Sequence, residues 1–187
     1  MVAGVLTAMR GAPERMLHGL RRRAARNALR RCRSVRDILV LCHGNLCRSP
    51  FAAQLLARTL TPFGIRVRSA GFLGAGPPSP REAVAAARRR MVDLTTHRAT
   101  TITVDTARSA DVIVVMNAAQ RRAICRIYGR RRNEVLLLGD FDPAPIESRE
   151  IADPVGQSEE IFGDVYARIA RCAEELALAL ADRPRQS

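Results

Sequence analysis

Four apolar residues, Ile38-Leu39-Val40-Leu41, run directly into Cys42-His43-Gly44-Asn45-Leu46-Cys47-Arg48-Ser49-Pro50, and this junction restricts the fold more than any other stretch of the chain. A short continuous apolar run is the pattern of a strand buried on both faces. Arg48 and Ser49 then open a helix, so a turn-prone loop of five residues joins the end of a buried strand to a helix N-terminus. Successive backbone N–H groups in such a loop curl around one anion. Gly44 permits close approach of the backbone, and Asn45 tolerates the left-handed conformation better than most residues. Arg48 can hold two oxygens of the same anion in a fork, which leaves the sulfur of Cys42 at the floor of a phosphate cradle.

The rest of the chain repeats the strand-then-helix pattern. Strands are predicted at Ile38–Leu41, Ile65–Arg68, Val112–Met116 and Val135–Leu138. Helices are predicted at Ser49–Leu60, Pro80–Arg90, Ala118–Ile127 and from Ser158 to Ala181, where Ser-Glu-Glu supplies a cap and first-turn acids. Strict alternation of short apolar strands with helices predicts an α/β fold: a flavodoxin-like, doubly wound, four-stranded parallel sheet with helices on both faces. The phosphate loop then lies at the carboxyl end of the first strand, where such sheets bind ligands.

Length and composition bound what else is possible. The chain has 187 residues, enough for one domain and a tail. Its formal charge is +13, and all 31 basic residues are arginine. Residues 1–36 hold ten of these against one acid, Glu14, so most of the excess belongs to an N-terminal extension. The expected layout is an Arg-rich extension over 1–35, a domain over 36–183 and a short tail over 184–187. The extension is read as solvated and partly disordered, or as an amphipathic helix with Leu17, Leu20, Ala24 and Ala28 on one side. That helix would give peripheral contact with a membrane. Nucleic-acid binding is not expected, because no aromatic residues interleave the arginines. Five cysteines, an odd number without a regular framework, suit the reducing cytoplasm. No set of Cys or His falls at metal-ligand spacing, so neither a metal nor any other cofactor is expected.

The chemistry follows from the loop. A helix N-terminus, an arginine and converging N–H groups favour the thiolate, the form of cysteine that attacks. In-line attack of Cys42 on phosphorus gives a cysteinyl-phosphate and splits hydrolysis into two easier steps. Arg48 and the loop amides stabilise the equatorial oxygens, and Ser49 is placed to hydrogen-bond the sulfur as it leaves. The departing oxygen needs a proton from the opposite side. Two Asp-Pro pairs, Asp142-Pro143 and Asp153-Pro154, offer a carboxyl held by the extended conformation that proline imposes on its predecessor.

The spacing Cys42, five residues, Arg48, Ser49 resembles the signature of protein tyrosine phosphatases. Its position after the first strand, with Gly44-Asn45 and Cys47-Arg48-Ser49-Pro50, is similar to the low-molecular-weight family of bacterial type. Ser69-Ala70-Gly71, Asp93-Leu94 with His97-Arg98-Ala99, Asp111–Met116, Leu137-Leu138-Gly139 and the two Asp-Pro pairs match in order, so the resemblance covers about residues 36 to 182. It implies that Asp153 is the general acid and later the base, with Asp142 structural. It further implies a network of Asn45, Ser69 and His97 that holds the loop, and Cys47 as a partner for a reversible disulfide with Cys42. His43 and Leu46 would line the mouth of the pocket. Implied partners are phosphotyrosine proteins, among them bacterial tyrosine autokinases that control exopolysaccharide production.

Val155 follows the second Asp-Pro where members often carry an aromatic, and Ala53 replaces an acid often found there. Both departures point to weak stacking on the substrate ring. Three alternatives share the loop: an arsenate reductase, a phosphoarginine phosphatase and a non-catalytic phosphotyrosine-binding protein. Thioredoxin-coupled reductases need two further cysteines close together on a mobile segment, a pattern that Cys125 and Cys172 do not make. Phosphoarginine-specific relatives carry Thr at the position of Leu46.

Overall fold

Four parallel strands lie in the order β2-β1-β3-β4. They are β1 (Asp37–Cys42), β2 (Arg66–Gly71), β3 (Val112–Val115) and β4 (Val135–Leu137). The computed structural model describes residues 2–32 and 34–182, with side chains from Glu14 onward. Six α-helices among the described residues surround the sheet: α1 (Val2–Arg31), α2 (Arg48–Leu60), α3 (Arg81–Arg88), α4 (Val104–Ser109), α5 (Ala118–Tyr128) and α6 (Glu159–Ala181). The order of strands reverses beside β1, which makes its carboxyl end the switch point of the sheet.

Alternation along β1 divides the core. Ile38 and Val40 point into the layer that holds Phe51 and Leu56 of α2 and Tyr166, Ile169 and Leu176 of α6. Leu39 and Leu41 point into the other layer, with Ile113, Val115, Ala107 of α4 and Ile124 of α5. Every residue of β1 is buried, as an apolar run without polar alternation requires. Parallel pairing sets Val40 against Ser69 on one side and Val114 on the other.

Three elements depart from the sequence reading. Strand β2 begins one residue later than expected and continues to Gly71, because β1 supplies partners as far as Cys42. Helix α4 was not expected. It is short, and a reciprocal cap between Thr103 and Thr106 holds its first turn. The extension, expected to be partly disordered or an amphipathic helix, is helix α1, and it docks on the domain through Ala25 and Leu29, with Ala28 of the predicted stripe packed beside them. Ala25 and Leu29 are buried, while Leu17 and Leu20 face solvent. Arg22 and Arg26 reach Glu175 of α6 at 2.5 and 2.6 Å, and Arg15 pairs with Glu147. The tail 184–187 lies outside the described residues.

Candidate active site

Cys42 ends β1, is almost wholly buried, and receives a hydrogen bond on its sulfur from the Ser49 hydroxyl at 3.0 Å. The loop between them is held from within by Asn45. This residue has φ of 55°, the left-handed region that a non-glycine side chain enters only when its surroundings compensate. Its amide nitrogen donates to the hydroxyls of Ser49 and Ser69 at 2.9 and 3.0 Å, and its side-chain oxygen accepts from the Thr100 N–H at 2.8 Å. Its backbone carbonyl accepts from His97 Nε2 at 2.7 Å, which places the ring proton on that nitrogen. The four sequence-singled residues Asn45, Ser49, Ser69 and His97 therefore meet in one network, and Thr100 completes it.

Two further contacts shape the loop from outside. A Cβ on Gly71 would lie 2.7 Å from the Asn45 nitrogen and 2.8 Å from the His43 carbonyl oxygen, so only glycine lets the end of β2 pass so close to the loop backbone. Tyr166 of α6, buried in the core, donates its hydroxyl to the Cys47 carbonyl at 3.1 Å and stacks on Phe51 with ring centroids 3.9 Å apart. Burial pushes the Tyr166 phenol far above its ordinary value, so it stays a donor. Neither contact is visible in sequence; Phe162 and Tyr166 are both buried in the core. Ser79 adds a bond to the Leu46 carbonyl at 2.7 Å.

Arg48, the first residue of α2, is buried with its guanidinium turned to the loop that precedes α6. It donates to the Ile151 carbonyl at 3.0 Å and makes a close ion pair with the Asp153 carboxylate. Its Nε is buried without a partner among the described residues. A cavity of about 120 Å³ is lined by Cys42, His43, Gly44, Leu46, Cys47, Arg48, Leu73, Asp153 and Val155. Cys42, Arg48 and the second Asp-Pro thus share one small pocket, with His43 and Leu46 also in its lining. Leu73, half exposed, joins the lining and was not anticipated. Asp142 does not reach this pocket. It is buried, its carboxylate is bound by Arg168 Nε at 3.0 Å and Arg171 Nε at 3.5 Å, and its carbonyl receives His18 Nε2 at 2.8 Å.

Cys47 sits under the loop, and burial beside Cys42 pushes its thiol up to about 12, so it is protonated at neutral pH. The remaining cysteines lie elsewhere: Cys172 is buried in α6, its thiol likewise pushed up to about 12, Cys125 lies on α5, and Cys32 follows α1 and donates to the Ala28 carbonyl. A larger groove of about 580 Å³ runs along α5, lined by Arg121, Arg122, Arg126 and Arg132, and has none of the loop's groups in it. Among the described residues no group of His, Cys, Asp and Glu is arranged to hold a metal ion.

Residues 37–186 match the family model described as low molecular weight phosphotyrosine protein phosphatase. The chain belongs to that family. It is 38% identical over 145 residues to the low-molecular-weight protein-tyrosine-phosphatase Wzb of Salmonella typhi, an alignment that covers 76% of this chain and 93% of the relative. The crystal structure of the tyrosine phosphatase AmsI of Erwinia amylovora superimposes with a TM-score of 0.71 at 34% identity, covering 79% of this chain and 95% of that one. The YwlE arginine phosphatase of Geobacillus stearothermophilus superimposes with a TM-score of 0.70 at 25% identity, covering 78% and 93%. The family model leaves residues 1–36 unmatched.

Proposed function

We propose that the chain hydrolyses phosphotyrosine in proteins through a cysteinyl-phosphate on Cys42, with Arg48 as phosphate clamp and Asp153 as general acid and then base. The observation that supports this most directly is the convergence of the Cys42 sulfur, the Arg48 guanidinium and the Asp153 carboxylate on one cavity. Arg48 has the donors for two phosphate oxygens once it exchanges its ion pair with Asp153 for the substrate. That exchange has a second effect. Released from the guanidinium, the Asp153 carboxyl is free to face the leaving phenolate and act as its proton donor. In the second step the same carboxylate takes a proton from the attacking water, while the Ser49 hydroxyl stabilises the departing thiolate.

Leu46, Leu73 and Val155 form an apolar rim that suits a phenyl ring better than a guanidinium, and the absence of an aromatic at 155 predicts modest affinity for it. The direct test is phosphate release from phosphotyrosyl and phosphoarginyl peptides in parallel under reducing conditions. Turnover of phosphotyrosine that disappears in Cys42→Ser is expected; preference for phosphoarginine would overturn the substrate assignment. An arsenate reductase relay is disfavoured by the placement of Cys125 and Cys172, on different helices and away from the cavity. A purely binding role is disfavoured by the presence of all three reacting groups. The protein partner is proposed to be an autophosphorylated tyrosine kinase, and the site of action the cytoplasm.

Cys47 gives a second expectation. Cys47 lines the same cavity as Cys42, so the sulfenic acid that peroxide forms on Cys42 is placed to condense with the Cys47 thiol into a disulfide, releasing water. Wild-type enzyme inactivated by peroxide should therefore regain activity with dithiothreitol, whereas Cys47→Ser should be lost irreversibly. Equal recovery of the two would remove the protective role of Cys47.

A further inference from the structure

Helix α1 presents two faces of opposite character. The face toward the domain is fixed by Ala25 and Leu29 in the core, by Arg22 and Arg26 on Glu175, and by His18, buried, on the Asp142 carbonyl. Its rotation is thereby set, and what faces outward cannot turn in to the core. Outward lie Met16, Leu20 and Leu17, exposed by 82%, 61% and 42%. Toward the other end the same face carries Arg23, Arg30 and Arg31, all exposed and in no ion pair among the described residues.

An apolar stripe that continues into unpaired arginines matches the interface of an anionic bilayer, where acyl chains meet negative headgroups. Self-association fits less well. Two copies packed through this face would set the arginines against one another or over apolar turns, with no carboxylate there to receive them. Nor is the helix a membrane span, since no helix among the described residues is long and apolar enough to cross. The pairing of Arg15 with Glu147 and of His18 with Asp142 puts this half of α1 beside the segment that leaves β4 toward Asp153, at the end of the sheet that carries the phosphate loop. We propose that the outward face of α1 lies on an anionic lipid surface and holds the domain there. This inference is independent of the chemistry assigned to Cys42.

The test is co-sedimentation of the full chain with phosphatidylcholine vesicles with and without phosphatidylglycerol. Binding that requires phosphatidylglycerol and weakens with salt is expected. Met16→Glu with Leu20→Glu should reduce it about tenfold or more, and each of Arg23→Gln, Arg30→Gln and Arg31→Gln about fivefold, while turnover of a soluble phosphate ester and helix content stay unchanged. Equal sedimentation of wild type and the double variant, or none by wild type, would overturn the proposal. A dimer in light scattering that the same double substitution dissolves would overturn it too, and assign the face to a second copy.

Discussion

Replacing Arg48 by Lys is expected to lower kcat/KM for a phosphotyrosyl peptide by about a thousandfold, even though the charge is kept. The reason lies in the number of donors and their fixed plane. Arg48 reaches the Ile151 carbonyl and the Asp153 carboxylate at once, and has a further buried N–H without a partner among the described residues. A lysine ammonium is a point charge on a flexible stem. It can meet one phosphate oxygen but cannot span two while also touching the loop that carries Asp153. The loss should appear in kcat as well as in KM, because the clamp acts more strongly on the charge of the transferring phosphoryl group than on the ground state. Inhibition by inorganic phosphate, which probes the cradle without chemistry, should weaken in parallel. A lysine variant within tenfold of wild type would mean that the loop amides alone carry the phosphate.

The parts of this site that could be read from sequence are those made by neighbours in the chain. Cys42 to Ser49 is a single loop, so its shape and chemistry follow from local residue types, and the sheet follows from the alternation that flanks it. What depends on packing was less visible. Gly71 read as one residue of a matching tripeptide, whereas its function is the space it leaves for the Asn45 and His43 backbone. Tyr166 is a core residue, yet its hydroxyl bonds the loop 119 residues away. The docking face of α1 shows the limit most clearly. A helical-period reading picked Leu17, Leu20, Ala24 and Ala28 as the apolar side. Of these the domain took Ala28, together with the unpredicted Ala25 and Leu29, because flanking Arg22 and Arg26 meet Glu175, a partner no local pattern reveals. Helix α4 escaped for another reason: its six residues contribute one buried side chain, too little periodicity to register.

Asp153→Asn is expected to cut kcat on phosphotyrosine about a hundredfold, and far less on an aryl phosphate with an acidic phenol. The difference between the two substrates is the diagnostic, since a group that donates a proton matters in proportion to how badly the leaving oxygen needs one. Loss of the carboxylate also removes the ion pair with Arg48, which frees the guanidinium for phosphate. Substrate affinity should therefore hold or improve while turnover falls, a split that general destabilisation does not produce. The neighbouring Asp-Pro supplies the control. Asp142 lies outside the cavity and is held by Arg168, so Asp142→Asn should cost about 2 kcal/mol of stability and about 6 °C in Tm, with kcat nearly unchanged below the transition. If the two substitutions lowered kcat equally, or if the leaving group made no difference to Asp153→Asn, the acid would have to be sought in another residue of the pocket, and the exchange of Arg48 between carboxylate and phosphate would lose its catalytic meaning.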